Sequence, residues 1–322
     1  MKDQQALVTE PTTAAYGGEG WSPRTATHQD EVGTLWAACG IDSEWRPLKS
    51  VLLHCPGAEL ADSSLDPNAL QMLAPLDPQR AAAQHQLLSQ AYVDAGVRVH
   101  AVDPDAITDP NLMFCADLFV MTPQGAILAR PASTVRAGEE RQIARRLAAL
   151  GIPILRTMVG NATFEGADLM WLDSHTVLVG RGFRTNQAAV DQISICLAEQ
   201  DCQVVVTDLP SGSMHLMGLL RIVDHDLAVC REGFTPQTAV DALRQSGYEV
   251  AFLPPADNAQ SNQAINFVTL GPRKIMMVAG NPLFQKFYAS NDIHCQALET
   301  GELSRAAGNI GCLTGVLHRE TQ

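Results

Sequence analysis

A unit of strand, breaker, helix and strand recurs along this chain, and that recurrence limits the fold more than any single motif. A β-rich run ends in a small or polar breaker at VLLHCPG (51–57), AILARPA (126–132), TVLVGRG (176–182), LAVCREG (227–233) and IMMVAGN (275–281). The last four copies begin at residues 126, 176, 227 and 275, a period of about 50. A helical segment follows each copy (81–96, 139–151, 187–200, 236–247 and 282–291), and then a second short strand (97–102, 152–157, 202–209, 248–254 and 293–298). Apolar residues in the helices recur three and four apart, as with Ile143, Leu147 and Leu150 or Val190, Ile193 and Leu197. That spacing gives each helix one face to lay on a sheet.

Four copies also have a strand-like run ahead of them, at 112–121, 162–172, 214–223 and 264–270, whereas the first has none. The C-terminal GNIGCLTGVLH (308–318) can supply it by pairing the two ends of the chain. Five such modules, the last built from both termini, predict a five-bladed α/β propeller of ββαβ-type modules, closed so that no sheet edge is left open. An open doubly wound sheet is the competitor, but neither GxGxxG after a first strand nor GxxxxGK[ST] is present. The expected organisation is a single catalytic domain over 47–320, preceded by an arm over 1–46. Thr27 and Asp30 suggest a capping box for a short helix running through Cys39 and stopped by Gly40. Tyr16 and Trp21 make the arm a candidate lid.

Composition narrows the function. The 322 residues carry a net charge of −13 and no cluster of Lys and Arg with interleaved aromatics, so nucleic acid is not an expected partner. The apolar runs are strand-sized and the N-terminus lacks an apolar signal core, so the reading is a cytoplasmic protein without a membrane partner. Eight cysteines form no CxxC pair and nine histidines no HxH or HExxH, so buried free thiols and no metal site are expected.

Polar residues with chemical capability fall one group to each module, on the run ahead of each copy: Asp117, Glu165 with Asp168, His215, Asn266 and Cys312. Converging on one axis, they would form a compact acidic and nucleophilic pocket. The stretch 161–186, with FEGAD at 164–168 and TVLVGRGFRTN closing it, is the richest of these.

FEGAD, TVLVGRGFRTN, the MHL containing His215 and the GCLTGVL containing Cys312 resemble, in order and spacing over about residues 47–320, the guanidine-modifying pentein superfamily. That superfamily comprises dimethylarginine dimethylaminohydrolases, arginine deiminases and amidinotransferases, and the pattern is nearest to the first of these. The resemblance implies a cysteine-dependent enzyme without a cofactor, acting on a small guanidino substrate. Cys312 would be the nucleophile, His215 the general acid/base and Glu165 its partner, with Asp117 gripping the guanidinium. It also implies that Arg136 and Arg184 hold a substrate carboxylate; for Arg136 the alternative is pairing with Glu139 or Glu140. Asp168 either binds substrate or satisfies backbone donors. The chemistry is coherent, because a guanidinium carbon is a poor electrophile that needs a thiolate to attack it and an acid to protonate the leaving amine.

The sequence departs from the pattern twice. Met217 stands where arginine deiminases and amidinotransferases have a second aspartate after the histidine. Ala116 stands where dimethylarginine hydrolases usually have an acid. The expectation is therefore hydrolysis of an N-substituted guanidine or amidine, and not of plain arginine. An amidinotransferase and a non-catalytic pentein binding protein are the alternatives, and a homo-oligomer is compatible with either.

Overall fold

The computed structural model describes residues 13–60, 66–105 and 110–321; the first twelve residues of the predicted arm lie outside this set. After the short helix α1 (His28–Glu31), β1 (Leu48–Leu53), α2 (Pro78–Asp94) and β2 (Arg98–Ala101) form the first module. The second contains β3 (Phe119–Thr122), β4 (Gly125–Leu128), α3 (Glu139–Ala149) and β5 (Ile154–Thr157). The third contains β6 (Leu169–Asp173), β7 (Thr176–Arg181), α4 (Gln187–Ala198) and β8 (Gln203–Asp208). The fourth has β9 (Leu220–Ile222), β10 (Leu227–Cys230), α5 (Gln237–Gln245) and β11 (Glu249–Phe252). The fifth opens with α6 (Asn258–Ile265) and continues through β12 (Val268–Gly271), β13 (Lys274–Val278), α7 (Pro282–Ser290) and β14 (His294–Leu298). The chain closes with α8 (Ile310–Leu313) and β15 (Gly315–Arg319).

Every predicted helix and outer strand is present, and the strands form five three-stranded sheets. In each sheet the middle strand pairs antiparallel with the strand before it and, across a helix, parallel with the strand after it, as β7 does with β6 and β8. The sheet of the first module follows the same rule with its missing strand taken from the C-terminus. β15 runs antiparallel to β1, with Leu48 opposite Arg319, while β1 runs parallel to β2.

Local chemistry starts the helices where the sequence places them. The Asp77 carboxylate accepts the Gln79 and Arg80 N–H groups ahead of α2, with Pro78 at its first position, and the Asn186 side chain caps α4 through the Ala189 N–H. Trp171 of β6 is wholly buried and gives its indole N–H to the Met121 carbonyl at 3.1 Å, so its polar atom is satisfied inside the core. All five inner strands, β3, β6, β9, β12 and β15, contribute to the wall of a common cavity, through Val120, Leu169, Arg221, Thr269 and Val316 among others.

Three expectations need correction. The capping box of α1 is present, but the helix stops at Glu31, where Val32 is already extended (φ −68°, ψ 128°) and Gly33 then turns the backbone left-handed (φ 85°). The chain also joins the body before residue 47. The Gly40 N–H donates to the Leu317 carbonyl at 2.8 Å, its carbonyl accepts from Arg319 at 3.1 Å, and Cys39 and Ile41 are core residues. Finally, the polar residues of the inner runs do not lie on strands. They sit in short helical turns just ahead of them, at Cys115–Asp117, Gly166–Asp168 with Glu165 as its cap, Leu216–Gly218 with His215 as its cap, the end of α6 at Asn266, and α8 for Cys312. A strand would send alternate residues to opposite faces, whereas a single turn gathers neighbouring groups to one side. Among the described residues, no helix is long and apolar enough to cross a membrane.

Candidate active site

The five turns pack so closely that two of them require glycine. A Cβ on Gly166 would lie 2.4 Å from the Phe119 carbonyl oxygen and 2.5 Å from that of Ala116. On Gly311 it would lie 2.7 Å from the Asn266 side-chain oxygen. Absence of a side chain beside Glu165 and beside Cys312 is what lets those neighbours meet residues of other sheets.

His215 Nε2 and Glu165 Oε2 are 2.7 Å apart, and both side chains are buried. His215 Nδ1 faces Asp117 Oδ1 at 3.8 Å. Burial alone would push the imidazole pKa down. The charge of Asp117, the hydrogen bond with Glu165 and the further charges of Asp168 and Glu165 outweigh it and raise the value to about 9. In the same way burial would raise the Glu165 carboxyl, but His215, Arg136 and Arg184 hold it well below the usual carboxylate range. His215 is therefore an imidazolium at neutral pH, oriented by a carboxylate.

Cys312 is tied to the fifth module. Its Sγ accepts from Asn266 Nδ2 at 3.0 Å, and its N–H donates to Asn266 Oδ1 at 3.2 Å. Burial and the Asp117 charge push the thiol pKa up, against the Asn266 hydrogen bond, the Asn309 backbone and the Arg221 charge. In the resting site the thiol is protonated.

Two chambers meet at Cys312. One, of about 20 Å³, is lined by Gln71, Asn111, Phe114, Asp117, Arg136 and Arg184 as well as the cysteine. The other, of about 310 Å³, is lined by Met214, His215, Met217, Arg231, Phe234 and Asn266 among others. Met217 thus does face the site, and no carboxylate lines the larger chamber among the described residues.

The two arginines are paired. Arg136 Nη1 donates to Asp117 Oδ2 at 2.6 Å and lies 3.5 Å from Glu165 Oε2, while its Nε and Nη2 hold Glu139 Oε2 at 3.0 and 2.9 Å. It is 3% exposed, so the Glu139 pairing is a buried one and not a loose surface contact. Arg184 Nη1 spans both Glu165 oxygens at 3.0 and 3.2 Å and Nη2 reaches Gln71, leaving its buried Nε without a partner. Asp168 is wholly buried. Its Oδ2 accepts the Thr185 hydroxyl at 2.6 Å and its Oδ1 the Leu216 N–H at 2.9 Å. Burial lifts its pKa to about 6 despite His215, Thr185 and Leu216. Both alternatives for Asp168 began equal, and the geometry matches satisfaction of neighbouring donors.

Five of the seven candidate side chains therefore form one connected polar layer; Asp168 meets it only through Thr185 and the Leu216 backbone, and Cys312 reaches it through the chamber it shares with Asp117, Arg136 and Arg184. Asn266 is the contact without an assigned role in the sequence. Its signal was available, since it occupies the same place in its module as Asp117, Glu165, His215 and Cys312 do in theirs. The ligand atoms of Asp117, Glu165 and His215 lie within 4.8 Å of one another, close enough to hold a cation, and the Arg136 guanidinium already sits against two of them. A second such group, Asp224, His225 and Asp226, lies at the turn between β9 and β10, where Arg273 binds both carboxylates.

Five ββαβ-type sheets, with cysteine, histidine and carboxylates drawn from separate modules, define a member of the pentein superfamily. A family model described as eukaryotic N,N dimethylarginine dimethylhydrolase matches residues 73–284, and the chain belongs to that family. The matched segment includes every candidate residue except Cys312. The family consists of hydrolases acting on C–N bonds of linear amidines. A dimethylarginine dimethylaminohydrolase of Streptomyces coelicolor is 25% identical over 275 residues, 83% of this chain and 96% of that protein. Among solved structures, a dimethylarginine dimethylaminohydrolase from Pseudomonas aeruginosa in complex with citrulline superposes with a TM-score of 0.70 at 20% identity, over 85% of this chain and all of that one. An amidinotransferase from Microseira wollei has the same fold, with a TM-score of 0.70 at 14% identity over 89% of this chain and 98% of its own.

Proposed function

We propose that this protein hydrolyses a C–N bond of an N-substituted guanidine through a covalent thiouronium on Cys312. The observation that carries the reading is the convergence at Cys312 of a buried His215–Glu165 pair and of Asp117, whose Oδ1 is buried without a hydrogen-bond partner. An orphaned carboxylate oxygen beside a nucleophile suits an N–H donor of a guanidinium.

Substrate binding then solves the problem of the protonated thiol. Asp117 is one of the groups that hold the proton on Cys312, and a guanidinium laid against it cancels that influence, so the thiol gives up its proton to solvent when the cation arrives. The thiolate attacks the central carbon and a C–S bond forms. The imidazolium of His215 protonates the departing nitrogen as the C–N bond breaks, and the free amine leaves into the larger chamber that His215 lines. Neutral His215 next takes a proton from water, whose oxygen adds to the thiouronium carbon. The C–S bond breaks as the added hydroxyl gives its proton to sulfur, so the ureido product is released and the Cys312 thiol is restored.

Glu165 orients and charges His215, and Asp168 positions it by holding the next residue's N–H. Arg184, which lines the smaller chamber, is our candidate for a substrate carboxylate. Arg136 is assigned to neutralising the buried carboxylates. The chain from Cys39 onward acts as one catalytic domain, and the shared cavity and the β15–β1 pairing support a closed five-bladed propeller. The larger chamber favours one second reading, an amidinotransferase whose acceptor amine enters where the first amine left. Incubation with free and N-alkylated guanidines in 18O-labelled water separates the two by mass spectrometry. Solvent oxygen in a ureido product marks the hydrolase, and amidine on an added amine marks the transferase. Turnover that survives Cys312→Ala would sink both.

A further inference from the structure

On the other side of the turns, the inner strands line a cavity of about 70 Å³ that the proposed reaction does not use. Its wall is largely apolar, with Phe119, Leu169, Trp171 and Met217, but it also takes in Arg221 of β9 and Arg319 of β15. These arginines are 9% and 2% exposed. Arg221 donates Nη2 to the Phe267 carbonyl and lies over that ring at 5.7 Å, and Arg319 donates Nη1 to the Arg46 carbonyl at 2.7 Å. Neither is ion-paired with a carboxylate of the described residues, and the Nε of each is buried without a partner. Glu44 is the single acid in the wall. Its Oε1 is tied to the Trp171 N–H at 3.0 Å, and it balances one of the two positive charges.

A guanidinium stays charged in proteins, so burying one without a counter-ion is costly, and two in one cavity more so. We propose that this cavity is an anion site, in which Arg221 and Arg319 together take up one small monovalent anion, a halide or a carboxylate of formate size. Charge sets the valence, because two guanidinium groups less one carboxylate leave a single positive charge to match. Burial pushes both arginines' pKa values down, that of Arg319 to about 10, against the pull of Glu44, which is the unrelieved charge expressed as a proton affinity. The site also abuts the thiol's helix, since a Cβ on Gly311 would lie 2.1 Å from Arg221 Nη2.

The test uses the full chain and no substrate, so it does not depend on the proposed reaction. Thermal unfolding is followed while sodium gluconate, too large for the cavity, is exchanged for sodium chloride or sodium formate at constant ionic strength. The expected result is a saturable rise of several degrees in Tm as the site fills, with the two salts distinguishing halide from carboxylate preference. In Arg319→Met the saturable rise disappears. Should that variant fail to fold, Glu44→Gln decides: removing the competing charge lowers the half-saturating concentration about tenfold. A shift that is linear and the same for all three salts, a saturable rise that persists in Arg319→Met, or an unchanged half-saturation in Glu44→Gln would overturn the site.

Discussion

At the scale of single residues, His215 ties stability to pH. Its pKa is raised from the ordinary 6.5 to about 9 in the folded protein, so the folded state binds the proton more tightly than the unfolded chain. A raised value contributes stability that is complete below about 6.5 and is lost as pH climbs through about 9. The Tm advantage of the wild type over His215→Gln is therefore expected to shrink between pH 6.5 and 9. A difference that stays flat across that window would mean that the imidazole is neutral. Arg136 gives a second residue-level test, because its two candidate roles act on different quantities. As the cation shared by Asp117, Glu139 and Glu165, its loss in Arg136→Met leaves buried carboxylates unpaired and costs roughly 3–5 kcal/mol in urea unfolding. As a clamp for a substrate carboxylate, its loss would raise KM and leave unfolding nearly unchanged.

At the scale of elements, the turns ahead of the inner strands do the positioning, and backbone crowding is what makes them sensitive. In Gly166→Ala the new Cβ meets two carbonyl oxygens that belong to the backbone and cannot rotate away, so a loss of about 1–3 kcal/mol is expected with a fall in turnover. Gly182→Ala is the control. Its Cβ would meet only the Leu209 side chain, at 3.4 Å or more, and its effect should stay within about 0.5 kcal/mol. These turns also mark where sequence reading stopped. The helices over 139–149 and 187–198 were legible because their apolar residues hold a helical period over three turns. CAD, GAD and LMG sit within apolar runs of strand length, and no local pattern separates a single turn from the strand it leads into. Helix α6 was missed for the opposite reason: NAQSNQAI is polar through most of its length and shows no apolar stripe until Ala264 and Ile265. The site residues were legible as a series, one group per module. The arginine pairings were not, because Arg136 meets Glu165 only once two modules are docked, and Arg184 meets it only once β6 and β7 have brought the two ends of its own module together.

At the scale of the whole molecule, the N-terminal segment carries a boundary that truncation can locate. Residues 13–26 bury little, with Tyr16 and Trp21 80% and 61% exposed, and no described residue of the arm lines either chamber at Cys312. Removal of residues 1–26 is thus expected to leave Tm within a few degrees of the full chain and turnover unchanged. Removal of residues 1–46 takes away much more. Cys39 and Ile41 leave the core, the two backbone hydrogen bonds of Gly40 along β15 are lost, and the Trp171 N–H loses Glu44. Burial of an aliphatic side chain contributes about 1.5–3 kcal/mol and each hydrogen bond about 1 kcal/mol, so the combined loss is on the order of 5 kcal/mol. That is comparable with the whole stability of many domains, and the shorter chain should melt far lower or fail to fold. The losses fall on β15, the strand that joins the C-terminus to β1, so they also weaken the closure of the first module's sheet and loosen α8, which carries Cys312 just ahead of it. If the shorter deletion instead abolished turnover while Tm stayed level, the arm would be acting on the site and not on the fold, and the lid reading of Tyr16 and Trp21 would stand.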